Sequence, residues 1–150
     1  KKAEASSVEM QAAPDSLAPS PEQLLLASVN EAKQYLSESG VGKGFFPTSS
    51  AAGDMSGISD EYLEKLKLVL DNDPAARVEV TGHTDITGTT SFNKELGLKR
   101  AEFVKSYLVN AGIKAEQIMT SSKGPSEPVA SNSTPEGRAA NRRSEIKVII

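Results

Sequence analysis

Two charged residues stand where their types and spacing can do chemistry. Asp85 lies in Thr81-Gly82-His83-Thr84-Asp85-Ile86-Thr87-Gly88, directly after the alternating run Arg77-Val78-Glu79-Val80. An alternating run reads as a half-buried strand, and loops leaving strand ends are where a rigid scaffold presents ligand-binding groups. Arg100 is the second residue. Turned at about 100° per residue, the segment from Phe92 to Asn110 gathers Leu96, Leu98, Ala101, Phe103, Val104, Tyr107 and Leu108 into one arc. Lys94, Glu95, Lys99, Glu102, Lys105, Ser106 and Asn110 fill the opposite arc. Arg100 falls inside the apolar arc, between Val104 and Tyr107, where a guanidinium needs a partner because an unpaired charge shut off from water is very costly. Two readings stay open. Arg100 is either a structural tie whose stem is buried, or a planar fork that receives a ligand carboxylate through two hydrogen bonds. An acid at a strand end and an arginine on the next helix can hold the two ends of a zwitterion, which suits an amino acid better than a phosphate or a sugar.

Other chemistries fit the sequence poorly. The chain has no cysteine and one histidine, which removes thiol nucleophiles, Cys-based metal sites and nearly every multi-histidine site. His83 beside Asp85 lacks the G-x-S-x-G elbow of a serine hydrolase, so it reads as a structural hydrogen-bonding residue and no catalytic residue is expected. Thr84 with Asp85 offers too few oxygens for calcium, which takes about 6–8. No metal and no cofactor are expected. Net charge of -3 hides a split, with 7 Lys and Arg against 14 Asp and Glu up to residue 93 and 10 against 6 beyond it. Arg138, Arg142 and Arg143 give the second half its positive end, but Glu127, Glu136 and Glu145 dilute it and aromatics are not interleaved. Nucleic-acid binding is therefore not expected. The longest purely aliphatic run, Leu24-Leu25-Leu26, is far too short for a spanning helix.

Positioning Asp85 and Arg100 requires a sheet with helices on it. Residues 1–19 are rich in Ala, Ser, Pro and Glu without apolar period and read as a linker or disordered segment. They carry no signal-peptide core, and a start without Met fits a processed form or a fragment. Ser20-Pro21-Glu22-Gln23 is a helix start with a capping box, followed by Leu25, Val29, Ala32 and Leu36 at helical spacing until Ser39-Gly40. Gly40–Gly57 carries five glycines and one apolar piece, Phe45-Phe46, read as a short strand ended by Pro47. A second helix opens at Ser59 and presents Leu63, Leu66 and Leu70 inward until Asp71-Asn72-Asp73-Pro74. After the strand at Val78 and Val80, a loop is expected over Gly82–Thr90, then a helix from Phe92 to Asn110. Ile118 with Thr120 marks another strand, 121–137 a long loop, and Ile146, Val148 and Ile150 a closing strand. This order predicts a two-layer α/β sandwich: a βαβαββ-type mixed sheet with helices on one face, plus an additional N-terminal helix. The domain is expected over 20–150, with its core at about 40–150.

Order and spacing then become recognisable. Gly82-His83-Thr84-Asp85-x-x-Gly88 is followed by Asn93-x-x-Leu96-x-x-x-Arg100-Ala101-x-x-Val104-x-x-Tyr107-Leu108, by Gly112-Ile113, Pro128 and Asn132, and by Gly137-Arg138-Ala139-x-Asn141-Arg142-Arg143. Together they closely resemble the OmpA-like peptidoglycan-binding domain of bacterial outer-membrane proteins and lipoproteins. The resemblance implies a non-catalytic module that grips cell-wall stem peptides. Asp85 and Arg100 would hold the amino and carboxylate groups of a diaminopimelate-type residue, with Thr84, Asn93 and Arg142 as further contacts. It also implies a periplasm-exposed, outer-membrane-associated domain whose membrane anchor lies in segments outside this chain. The alternative is a protein-interaction module of a cell-envelope complex on the same fold.

Three positions depart from the family pattern. Pro47 follows Phe46 where the family usually has an acid, Gly97 replaces a Ser, and the loop Ser49–Gly57 is longer than is typical. Gly97 is the weaker helix former, by up to about 1 kcal/mol relative to Ala.

Overall fold

Val78 and Val80 point inward from the central strand of a four-stranded sheet, and both are fully buried. The structure is a computed structural model and describes residues 18–150; the linker expected at the N-terminus falls on residues outside this range, apart from 18 and 19. The strands are β1 (Gly42–Phe45), β2 (Arg77–His83), β3 (Ile118–Gly124) and β4 (Arg143–Ile149), in the order β1-β4-β2-β3. β4 pairs antiparallel with both β1 and β2, while β2 and β3 run parallel. A parallel pair needs a crossover, which the long helix between them supplies.

The helices start where side chains can satisfy free backbone N–H groups. In α1 (Pro21–Ser39), Ser20 Oγ accepts from Gln23 N and Gln23 Oε1 accepts from Ser20 N, the expected capping box. α2 (Asp60–Asn72) is capped by Ser59 and α3 (Thr90–Asn110) by Thr89. Leu66, Val69 and Leu70 of α2 and Ala101, Val104 and Leu108 of α3 meet Val78, Val80, Ile118 and Ile146 of the sheet in one apolar cluster. α1 joins that cluster through Ala32 and Leu36, and Lys33 bridges to Asp73 at 3.2 Å. Its N-terminal Leu24, Leu25 and Leu26 stay exposed. The helix–sheet architecture expected from the sequence is the one observed, with an α4 (Pro135–Asn141) inserted before β4.

Several local expectations need correction. The strand β2 runs on through Gly82 and His83, which the sequence reading put in the loop, because both residues still pair with neighbouring strands. The stretch read as loop over 121–137 contains the second half of β3 and the start of α4. A seven-residue helix is too short to show an apolar period; its signals were the cap Thr134, whose Oγ1 accepts from Gly137 N at 3.0 Å, and Pro135 at the first helical position. Leu25 and Leu98 are exposed, although helical spacing puts each with the apolar residues of its helix. In α3 the sheet-facing stripe is instead Asn93, Leu96, Gly97, Arg100, Ala101, Val104 and Leu108.

Gly97 is more than a weak helix former. A Cβ on Gly82 would land on the Gly97 carbonyl, and a Cβ on Gly97 would meet Ser122 Oγ. Two glycines thus let α3 touch the backbone of β2 one residue before His83. That close approach brings the helix carrying Arg100 down onto the strand end carrying Asp85.

Candidate functional site

Asp85 leaves β2 at the edge of this helix–strand contact and is buried, as are Thr84, Asn93 and Arg100. A β-bulge between Gly82 and His83 shifts the pairing with β3, after which Thr84 N donates to Gly124 O at 3.0 Å. Thr84 Oγ1 donates to Asp85 O at 2.9 Å. Asp85 Oδ1 accepts from Thr87 N at 2.8 Å, and Thr87 O accepts from Asn93 Nδ2 at 2.9 Å. Loop and helix start are therefore closed into one small network that orients the carboxylate.

The direct partner of Asp85 is Arg142, whose Nη1 lies 3.2 Å from Oδ2. Arg142 follows α4 and is set in register by the β1–β4 pairing: Phe46 N donates to its carbonyl at 3.0 Å, and its Nε donates to Phe46 O at 2.9 Å. Its side chain is 17% exposed, against 7% for Asp85, so the pair reaches the surface through the arginine. Burial pushes the Asp85 carboxyl up, but the Thr87 and Arg142 hydrogen bonds outweigh it and hold the group below the usual carboxylate range.

Arg100 is fully buried and makes no direct bond to Asp85. Its Nε donates to Ser50 O at 2.8 Å, Nη1 to His83 O at 3.0 Å and Nη2 to Pro47 O at 3.0 Å. The guanidinium carbon stands 5.2 Å from the centre of the Phe46 ring, which packs edge-on against Phe103. Three neutral carbonyls use three of its five N–H groups and cancel none of its charge. Burial draws its pKa down to about 10, opposed by the field of Asp85 and aided by Arg142, so it is cationic at neutral pH. One carboxylate and two guanidiniums share the cluster, which therefore carries one net positive charge.

All five residues expected at the site come together, Asp85, Thr84 and Arg142 directly and Asn93 and Arg100 through the carbonyls of Thr87 and His83. Sequence reasoning missed Phe46, which binds Arg142 through its main chain and underlies Arg100 with its ring. It also missed the turn Pro47–Ser50, closed by Ser50 N donating to Pro47 O at 3.2 Å and holding Ser49 at a φ of 59°. Nothing in the spacing of residues about 50 apart along the chain shows that they share a guanidinium. Phe45, Phe46, Pro47, Asp54, Ala139, Ala140 and Arg142 line a shallow groove beside the cluster. Among the described residues no group of three or more His, Cys, Asp or Glu side chains is placed to hold a metal ion, and no helix is long and apolar enough to cross a membrane.

Comparison with known proteins bears on the same region. The peptidoglycan-binding protein ArfA of Mycobacterium tuberculosis is 46% identical over 91 residues, covering 61% of this chain and 27% of that protein. The probable lipoprotein YiaD of Escherichia coli is 43% identical over 101 residues, covering 67% of this chain and 45% of its own length. The chain thus spans less than half the length of either. Among solved structures, the peptidoglycan-associated lipoprotein of Burkholderia pseudomallei superposes with a TM-score of 0.59 at 29% identity, covering 71% of this chain and 89% of that one. The C-terminal domain of Helicobacter pylori MotB gives 0.59 at 28% identity over 71% of this chain and 82% of its own. The model of the OmpA family matches residues 52–142, the stretch that runs from the first loop through α3 to Arg142, and this chain belongs to that family.

Proposed function

We propose that the Asp85–Arg100–Arg142 cluster binds the stem peptide of peptidoglycan through a diaminopimelate-type residue, and so ties an envelope protein non-covalently to the cell wall. The observation that carries this reading is the charge state of the cluster: a buried carboxylate already oriented, beside two guanidiniums of which one has only neutral partners. A zwitterionic amino-acid end supplies what is missing. Its carboxylate offsets the net positive charge and takes guanidinium N–H groups, while its ammonium is received by Asp85, with Asn93 and Thr84 as further contacts. One relative named for binding peptidoglycan and another named for associating with it support peptidoglycan as the partner. Such a contact is moderate and selective, because few charge-assisted bonds must offset the immobilisation of a flexible peptide.

Because Arg100 is fully enclosed, the ligand enters over Arg142, and the turn Pro47–Ser50 gives way as ligand oxygens replace its carbonyls on the fork. In this reading the domain faces the periplasm, and its role is binding rather than catalysis. Sedimentation with purified cell wall tests the proposal. Asp85→Asn keeps the shape but removes the charge, and should lower the pelleting affinity at least about tenfold, or about 1.4 kcal/mol. A folded variant that pellets like the parent sinks the reading.

The exposed Leu24, Leu25 and Leu26 of α1 favour a second reading, contact with another envelope protein through this helix. Amide shifts on adding a diaminopimelate-containing peptide separate the two: the wall reading puts them at 48–52, Thr84, Asp85 and Asn93, and the second reading confines them to α1.

A further inference from the structure

His83 is the chain's one histidine, and nothing in the binding chemistry above uses its ring. The ring is 2% exposed, its Nδ1 has no hydrogen-bond partner, and its Nε2 lies 4.0 Å from Glu145 Oε1. The other Glu145 oxygen is taken by Arg143 Nε at 2.7 Å. The charged groups facing the ring are Arg143 and Glu145 from β4, Lys123 from β3 and Glu127 from the segment after β3. Through its main chain the same residue reaches the binding cluster, since its carbonyl accepts from Arg100 Nη1 and it stands at the bulge two residues before Asp85.

We infer that His83 is a positioning residue for the ligand grip: its neutral buried ring holds the end of β2 in place under Arg100 and Asp85, and a proton on the ring loosens the hold on a carboxylate ligand. The inference rests on the site reading proposed above. An imidazolium donates from both nitrogens. Whichever nitrogen carries the hydrogen in the neutral ring, the added proton leaves Nδ1 a donor with no acceptor in reach. Nε2 faces Glu145, and drawing that carboxylate closer competes with its bond to Arg143. Either adjustment moves the strand β4 one residue from Arg142, or the carbonyl that takes one of the Arg100 N–H groups. Burial, helped by Arg143, holds the ring below its ordinary pKa, so it is neutral at neutral pH. Asp85 and Glu145 are held below the carboxylate range and Arg100 stays near 10, so these three keep their charges from about pH 7.5 to 5, and the ring is the neutral group among them that can take up a proton.

Calorimetric titration with a tripeptide containing meso-diaminopimelate, at steps from about pH 7.5 to 5, tests the inference. The parent should lose at least about threefold in affinity across that range, whereas His83→Gln should bind with no such slope. Because either neutral variant risks misfolding, His83→Asn serves as a second, and the parent itself is followed by NMR without ligand. There the Arg100 Nε–H signal should move with the midpoint of the His83 ring, and saturating peptide should lower that midpoint, as reciprocal coupling requires. A flat affinity in the parent, or the same slope in a folded His83→Gln, overturns the inference while leaving the site reading intact. Failure of the parent to bind at about pH 7.5 removes the site reading instead. In that case an Arg100 signal indifferent to the His83 titration overturns the coupling on its own.

Discussion

Arg100 and Arg143 are both almost completely enclosed, and the chain treats them in opposite ways. Arg143 gives its Nε to the Glu145 carboxylate at 2.7 Å and spends its other nitrogens on the carbonyls of Glu127 and Asn141. Its charge is cancelled within the fold, two residues away along β4. Arg100 meets three carbonyls and no carboxylate of its own, since Asp85 is engaged by Arg142. A buried guanidinium with a carboxylate partner has what it needs. One whose partners are all dipoles keeps its charge, and an anion brought to it gains what the fold has withheld. The comparison separates an arginine whose charge the fold cancels from one whose charge it leaves uncancelled, and the proposed ligand role rests on the second.

The sharpest way to break the comparison is to remove each charge at constant volume. Arg100→Met strands the buried carbonyl of His83 and unties the turn carbonyls of Pro47 and Ser50 from α3, and should cost about 3 kcal/mol or more in urea unfolding, with no single second-site change restoring it. Arg143→Met should cost about 2 kcal/mol, but adding Glu145→Gln should return about half of that, because the stranded carboxylate is then neutral. Equal and unrescued losses at both positions would erase the distinction.

The smallest effect is in pH. Asp85 and Glu145 are held below their ordinary values of 3.8 and 4.5 in the fold, so between folded and unfolded values only the unfolded chain takes up the proton. Their contribution is present above those ordinary values and lost as pH falls through the lower folded ones. His83, also lowered, obeys the same sign in a higher window: its contribution is complete above its ordinary value of 6.5 and declines below it. Stability should therefore fall in two steps on acidification, the upper one smaller than the loss from either arginine substitution. In thermal melts from about pH 7.5 to 5, His83→Gln should remove the upper step alone. A parent protein with no upper step would remove the electrostatic difference between the two faces of the strand end.

Much of this was legible in advance, for reasons that can be named. Caps and periods are local, so Ser20, Ser59 and the alternation around Val78 reported their elements correctly. Arg100 stood out because a charge in an apolar arc breaks a pattern. Short elements with weak periods were lost, as with α4. Leu98 misled because a wheel weighs hydrophobicity and cannot see that Gly97 is the point of closest approach to Gly82. The departure at Pro47 also gained a meaning: its carbonyl is one of the three that hold Arg100.

By itself the sequence determined the family, the order of the main elements and the residue types at the site, because motif spacing and side-chain periods are properties of the chain read along its length. Only the tertiary structure decided who pairs with whom. Asp85 took Arg142, Arg100 took the carbonyls of a turn about 50 residues away, and His83 came to share a carbonyl with the site while its ring lay among Arg143, Glu145, Glu127 and Lys123. Partner choice among buried charges depends on which groups the packing brings within about 3 Å and which it shields from water, and no distance along the chain encodes that.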